Sequence, residues 1–238
     1  MLGKQPPRPQ LLREPVAEAE RATSGNEQVG PLALDERALV GRLAVTSLAR
    51  TAVDLARLDE WRSAVVTADA ALRRGATRAE LEASLARSAG RRGIARAVSV
   101  VAFADGLSES PLESISRCEM SKAQVPEPEL QVSVWADGEF IARVDYLWRE
   151  ARTVGEADGR SKYESVEDLY AEKRREERLR SLGFEVVRWD WDTAFAGGRA
   201  FQDLIERALA RGRRSELAPE LRFVSGDGRD IRFSNRAA

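Results

Sequence analysis

The chain has 238 residues with 38 Lys and Arg against 39 Asp and Glu, no histidine, and one cysteine, Cys118. Without imidazole there is no Ser-His-Asp or Cys-His nucleophile and no Cys/His zinc site, and a lone thiol excludes a disulfide within the chain. Catalysis must therefore rest on carboxylates, Lys, Tyr, Ser or a hard cation held by oxygen ligands, while a net charge of −1 denies the chain the overall basic footprint of a nucleic-acid binder.

Residues 1–35 are proline-rich, contain no aromatic residue and show no clean periodicity, which predicts a mobile N-terminal arm. The opening residues lack the apolar core of a signal peptide, and the longest apolar run, Ala97 to Ala104, falls far short of the roughly 20 residues that cross a bilayer. A cytoplasmic location without membrane contact is the expectation, and the unpaired Cys118 agrees with it.

From Thr46 the pattern turns helical. Leu48, Ala52, Leu55 and Ala56 form one stripe, and a second helix runs from Glu60 to Arg74 and stops at Gly75. Thr77 and Glu80 make a capping box for a third, and a fourth spans about Ile94 to Ala104. Arg50 and Asp54, four apart, predict a helical surface or interdomain pair without a catalytic role. At Ser110 another helix begins, with Pro111 at its first position and Glu113 three residues after the cap.

After VPEPEL the period switches to two. Leu130, Val132 and Val134 alternate with polar or aromatic residues, Asp137-Gly138 marks a hairpin turn, GEFIARVDYLW returns, and TVGEADG supplies a third strand, predicting an antiparallel meander. A charged helix over about 166–182 closes at Gly183. The strand FEVVRWDW follows, and strand-helix-strand connectivity places it parallel to a meander strand. A last helix spans about 201–210, and the C-terminal residues predict no more than a short edge hairpin. The fold class expected is mixed α/β (α+β), divided into an arm (1–35), a helical region (36–106), an α/β domain (107–214) and a C-terminal tail (215–238).

If Trp148 lies opposite Thr153, Asp145 falls opposite Glu156 on one face. Opposed like charges are unfavourable unless a cation lies between them. Asp158 shares that face, Lys162 follows shortly after, and Glu113 joins the cluster if its helix packs on the sheet. Carboxylates with a lysine and no histidine suit an Mg²⁺ (or Mn²⁺) site for phosphodiester hydrolysis. Each has a structural alternative: Glu113 as a cap, Asp158 as the start of an Asp-Gly turn, Lys162 as an exposed residue. The helix AEKRREERLR carries five cations against three glutamates. It reads either as a salt-bridged face or as a phosphate-contacting one through Lys173 and Arg175.

SPLES with Glu113, ARVDYLW with Asp145, GEADGRSKY with Glu156, Asp158 and Lys162, and KRREERLRSLGFEVVRW with Arg175, Gly183 and Arg188 carry a family likeness. Together, from Ser110 to Trp191, they resemble the restriction-endonuclease-like, or PD-(D/E)XK, superfamily. The nearest resemblance is to its uncharacterised bacterial domain related to very-short-patch-repair endonucleases. The resemblance implies that Glu113, Asp145 and Glu156 hold the metal of a DNA endonuclease. Asp158 stands where that motif usually has lysine, so Lys162 or Lys173 would take the lysine's role. Upstream, VTSLARTAVDLA and the helices to Gly106 resemble AbiEi-like antitoxins of type IV toxin-antitoxin systems. Longer members of that group begin with a winged helix-turn-helix that residues 1–35 do not show, implying a lost domain or a late start. The rival expectation is a catalytically inactive nucleic-acid-binding or antitoxin-like regulator with a protein partner.

Overall fold

The computed structural model describes residues 11–13, 27–29, 31–158, 166–218 and 220–234. Most of the expected arm lies outside them. Within it, β1 (Leu11–Arg13) and β2 (Glu27–Val29) pair in parallel. A 3₁₀ turn at Leu34–Glu36 leads into a hairpin of β3 (Arg37–Val40) and β4 (Leu43–Thr46).

Four helices follow as the local signals require: α1 (Leu48–Leu58), α2 (Trp61–Arg73), α3 (Arg78–Arg87) and α4 (Ile94–Phe103). Ser47, Glu60 and Thr77 each accept a hydrogen bond from the backbone three residues on, satisfying a free N–H of the first turn. Small and branched side chains, including Ala52, Val53, Ala64, Val65, Leu81 and Val100, fill a core between them. Alanine at these positions lets the helices approach closely.

Arg50 is not a surface residue. It is 1% exposed, and its guanidinium binds Asp54 at 2.7 Å and Glu36 at 2.9 Å. A four-residue spacing marks a helical neighbour but does not say whether the pair faces water; the 3₁₀ turn folded over α1 decides that here.

The remaining elements build a six-stranded sheet. Helix α5 (Pro111–Lys122) precedes β5 (Glu129–Ala136), β6 (Glu139–Trp148) and β7 (Thr153–Asp158), the predicted antiparallel meander. Asp137 and Gly138 both have positive φ (50° and 80°), as the tight turn between β5 and β6 requires. Helix α6 (Val166–Ser181) then leads to β8 (Glu185–Asp190), which lies parallel to β7. Gly183 ends the crossover in the left-handed region, where a Cβ would strike the Glu216 carbonyl at 1.9 Å. A short helix not anticipated from the sequence, α7 (Trp191–Ala196), and then α8 (Gly198–Gly212) complete this part.

The C-terminal segment, expected as a tail with at most a short edge hairpin, forms that hairpin at the edge of the sheet. β9 (Glu220–Val224) and β10 (Asp230–Ser234) form a hairpin, and β9 pairs with β5, giving the order β10-β9-β5-β6-β7-β8. Leu221 and Phe223 are buried there. The edge of β5 was free to accept them, and buried apolar side chains hold the added strands in place.

Tyr146, Trp148, Val187 and Trp189 pack with α5, α7 and α8 on one face of the sheet. Val154, Val186 and Phe184 pack with Leu179 and Leu182 around α6 on the other. Gly155 is required between them: a Cβ there would meet Trp189 at 2.7 Å and Trp148 at 2.9 Å. Asp69 of α2 and Arg117 of α5, both buried and 3.0 Å apart, join the helical region to the sheet layer. No helix among the described residues is long and apolar enough to cross a membrane.

Candidate active site

β6 and β7 pair with Trp148 opposite Thr153, Leu147 opposite Val154 and Tyr146 opposite Gly155. Continuing that register sets Asp145 against Glu156, and the two strands are tied at this point by the Ala157 N–H donating to Asp145 Oδ2 at 2.9 Å. The Glu156 carboxylate lies on the α6 face, toward Arg175. Glu156 is 4% exposed, its Oε1 is buried without a hydrogen-bond partner, and its Oε2 lies 3.8 Å from Arg175 Nη2. Burial, and then the Asp145 charge, push the Glu156 carboxyl up to about 8 against the pull of Arg175 and Arg188.

Asp158 is paired. Arg188, the β8 partner of Glu156, donates to Asp158 Oδ2 at 2.8 Å and to Glu172, and lies 2.9 Å from Glu176. These neighbours hold its guanidinium above its ordinary value despite burial. Glu172 and Glu176 face the sheet from α6 with Leu179, at helical spacing. Burial would raise Glu172, but hydrogen bonds from Arg175 and Arg188 outweigh it and leave the carboxyl below its usual value.

Glu113 is drawn into a different role. It belongs to α5, on the opposite face from α6: Tyr146 Oη donates to the Glu113 carbonyl at 2.9 Å. The Glu113 carboxylate accepts from Glu109 N–H, Ser110 Oγ and Gln131 Nε2 at 2.8, 2.7 and 2.8 Å. This is the cap that Ser110-Pro111-Leu112-Glu113 announced, extended by a glutamine that no sequence signal singled out. Burial, with a smaller contribution from Asp145, raises its pKa. Gln131 occupies the β5 position facing Asp145 and adopts φ +53°, a left-handed conformation that aims its side chain toward Glu113.

The expected three-carboxylate metal cage is therefore not assembled: among the described residues no three acidic or thiol side chains converge as a metal-binding group. Lys162 lies outside the described residues, and Lys173 is exposed on α6. Among the described residues, the cations beside Glu156 and Asp158 are arginines. Guanidinium orients and neutralises acids, but it does not deprotonate to act as a base. Two carboxylates with one orphaned oxygen still suit Mg²⁺, which usually takes one or two protein carboxylates and fills its octahedron with water and phosphate oxygens.

No family model matches the chain, and no solved structure matches it. Two curated relatives do, the uncharacterized proteins MT2308 and Rv2248 of Mycobacterium tuberculosis strains CDC 1551 and H37Rv. Each is 39% identical over 154 residues, covering 62% of this chain and 54% of the relative. The chain thus spans about half the length of the curated relatives it matches, and neither name assigns an activity.

Proposed function

We propose that this chain is a metal-dependent DNA endonuclease of the restriction-endonuclease-like class, with Mg²⁺ or Mn²⁺ held by Asp145 and Glu156. The observation that carries this reading is the buried, unpartnered Glu156 Oε1 across the strands from Asp145. An unpaired buried acceptor costs about 1–3 kcal/mol and more when charged, a cost that a bound cation would offset. A bound divalent cation lowers the pKa of its water and neutralises charge on the phosphate. The chain's own residues do the rest. The Ala157 N–H orients Asp145, and Arg188 pins Asp158 to Glu172. Arg175, half-buried beside Glu156, supplies positive charge toward an incoming phosphate.

The test is nicking of supercoiled plasmid and of single-stranded DNA with Mg²⁺ or Mn²⁺, beside Asp145→Ala and Glu156→Ala. The expected result is metal-dependent nicking that falls at least about a thousandfold in both variants, in keeping with loss of metal-assisted charge stabilisation. Absence of nicking on every substrate, together with no Mg²⁺ or Mn²⁺ binding by calorimetry, would overturn the reading.

One observation favours a second reading. The residue two after Glu156 is an aspartate locked to Arg188 where the resembled motif has a free lysine. That arrangement suits an inactive nucleic-acid-binding or antitoxin-like regulator acting with a protein partner. DNA binding unaltered by Asp145→Ala, without nicking, would support it.

A further inference from the structure

The loop that leaves α4, the second half of α5, the approach to β5 and the turn between β9 and β10 enclose a cavity of about 700 Å³. That volume lies within the range of clefts that take a small organic ligand, and a seam between a helical region and a sheet layer is a place where such clefts recur. Phe103, Leu107, Met120, Val125 and Leu130 give it an apolar lining. Neither Asp145 nor Glu156 is part of that lining.

The walls are fixed by contacts of the fold itself. Met120 and Val125 are buried. The Phe103 ring packs on Trp61 with centroids 5.0 Å apart, and the Arg117 guanidinium lies over it at 4.7 Å. On the far side, Gly226 N–H donates to the Leu130 carbonyl at 3.2 Å and seats the β9–β10 turn against β5. The approach is close: a Cβ on Gly226 would strike Leu107 at 2.9 Å and the Leu130 carbonyl at 3.0 Å. Ser225 closes that turn, its N–H donating to the Arg229 carbonyl at 2.9 Å and its carbonyl accepting from Gly228 N–H at 2.8 Å. A cleft with walls held in this way spares a ligand the cost of ordering them.

Charge selects the occupant. Four carboxylates line the cavity, those of Asp105, Glu127, Glu129 and Asp227, against two guanidiniums, Arg117 and Arg229. Arg229 lies 2.8 Å from Asp227, and Glu129 pairs with Arg149 from outside the lining. Arg117 is committed to Asp69 at 3.0 Å and to the Phe103 carbonyl at 2.7 Å. These pairings leave Asp105, which accepts from Leu107 N–H at 2.9 Å, and Glu127 without a matching cation among the described residues. An anion would meet that surplus of negative charge. A bare divalent ion would lack its ligand set, because among the described residues no three acidic side chains converge as a metal-binding group. A cation carried on an apolar body satisfies both the carboxylates and the lining.

We propose that this cavity binds a small organic cation, a primary amine on an apolar body, with its charge held by Asp105 and Glu127 and its body against Met120, Val125 and Leu130. The assignment is independent of the nuclease reading.

The test is calorimetric titration of the full chain with tryptamine. Tryptophol and indole-3-acetate carry the same ring with a neutral and a negative end, and methylammonium carries the charge without the ring. Tryptamine is expected to bind at least about tenfold more tightly than tryptophol, with no measurable binding of indole-3-acetate or methylammonium. Glu127→Gln and Asp105→Asn should each weaken tryptamine about five- to tenfold and leave tryptophol unchanged. Asparagine keeps the oxygen that accepts from Leu107 N–H, so the loop is preserved. Glu129→Gln, whose carboxylate already has Arg149, should change the affinity less than about twofold. Ser121→Trp, at an exposed lining position on α5, fills the opening and should abolish binding. If Asp105→Asn does not fold by circular dichroism, Glu127→Gln and Ser121→Trp are read in its place.

No binding of tryptamine at millimolar concentration, binding no tighter than that of tryptophol, or affinity unchanged in Glu127→Gln and Ser121→Trp would overturn the assignment. Loss of tryptamine binding in Asp145→Ala would also overturn it, by moving the amine to the other carboxylates. Tighter binding of trilysine than of tryptamine would overturn it in favour of a surface that docks a basic peptide.

Discussion

Two glutamates in this protein are buried to nearly the same degree, Glu36 at 1% exposure and Glu156 at 4%, and their surroundings are opposite. Glu36, in the helical region, has both oxygens engaged. Oε1 accepts from Ser84 Oγ at 2.7 Å and faces Arg87 Nε at 3.1 Å, while Oε2 accepts from Ala33 N–H and Arg50 Nη1 at 3.1 and 2.9 Å. Burial alone would raise its pKa; the hydrogen bonds and arginines outweigh it and hold the carboxyl below its ordinary value. Glu156, in the sheet, has one oxygen with no donor and is raised to about 8. Burial costs both groups. Only the partners differ, and that difference separates a carboxyl lowered by its donors from one raised by its burial.

The strongest way to break the comparison is to remove the cation of the satisfied site. Arg50→Ala leaves Glu36 and Asp54 without their shared guanidinium and is expected to cost about 3–5 kcal/mol in urea unfolding. A loss below about 1 kcal/mol would mean that the network contributes little to holding the 3₁₀ turn on α1.

Next in size is the pH dependence, whose sign differs between the two acids. Glu156 keeps its proton in the folded state up to about 8, while an unfolded glutamate releases it near 4.5. Its contribution is therefore fully present below about 4.5 and is lost as pH rises toward 8. Glu156→Gln should flatten that fall, which has a limiting slope of about 1.4 kcal/mol per pH unit, and should make the metal-free protein more stable than the parent at pH 8. Glu36 is lowered, so its contribution is present above about 4.5 and is lost as pH falls through the folded value; Glu36→Gln should weaken the neutral protein and blunt its acid transition. Denaturation series across pH for both variants measure the signs, and parallel curves would remove the contrast.

The smallest effect concerns Cys118. Burial and the Asp69 charge push its thiol up to about 12, so a thiol reagent at neutral pH should react with it only after denaturant is added. Rapid labelling of the native chain would mean that the layer between α2 and α5 opens readily.

Much of the local structure was legible in the residues. Thr77 and Ser110 announced helix starts, and Asp137-Gly138 announced the hairpin turn. The change of period after Pro128 marked the meander, and the short turn after Trp148 predicted the register that pairs Trp148 with Thr153. These depend on neighbours close in sequence, where backbone sterics and capping act directly. The pairing of β9 with β5, the burial of Arg50, the capture of Asp158 by Arg188 and the diversion of Glu113 to Gln131 were not legible. Each joins residues distant along the chain or depends on how water is excluded around a charge.

The residues by themselves determined which chemistry was closed to this protein, since a chain without histidine has no imidazole base and leaves any catalysis to carboxylates, Lys, Tyr, Ser or a hard cation. They also determined that two of those carboxylates would meet across adjacent strands. Tertiary structure decided which acids are used up and which are not. A carboxylate's state is set by the donors and desolvation that packing brings to it, and only the folded sheet leaves one oxygen of Glu156 without a hydrogen-bond donor.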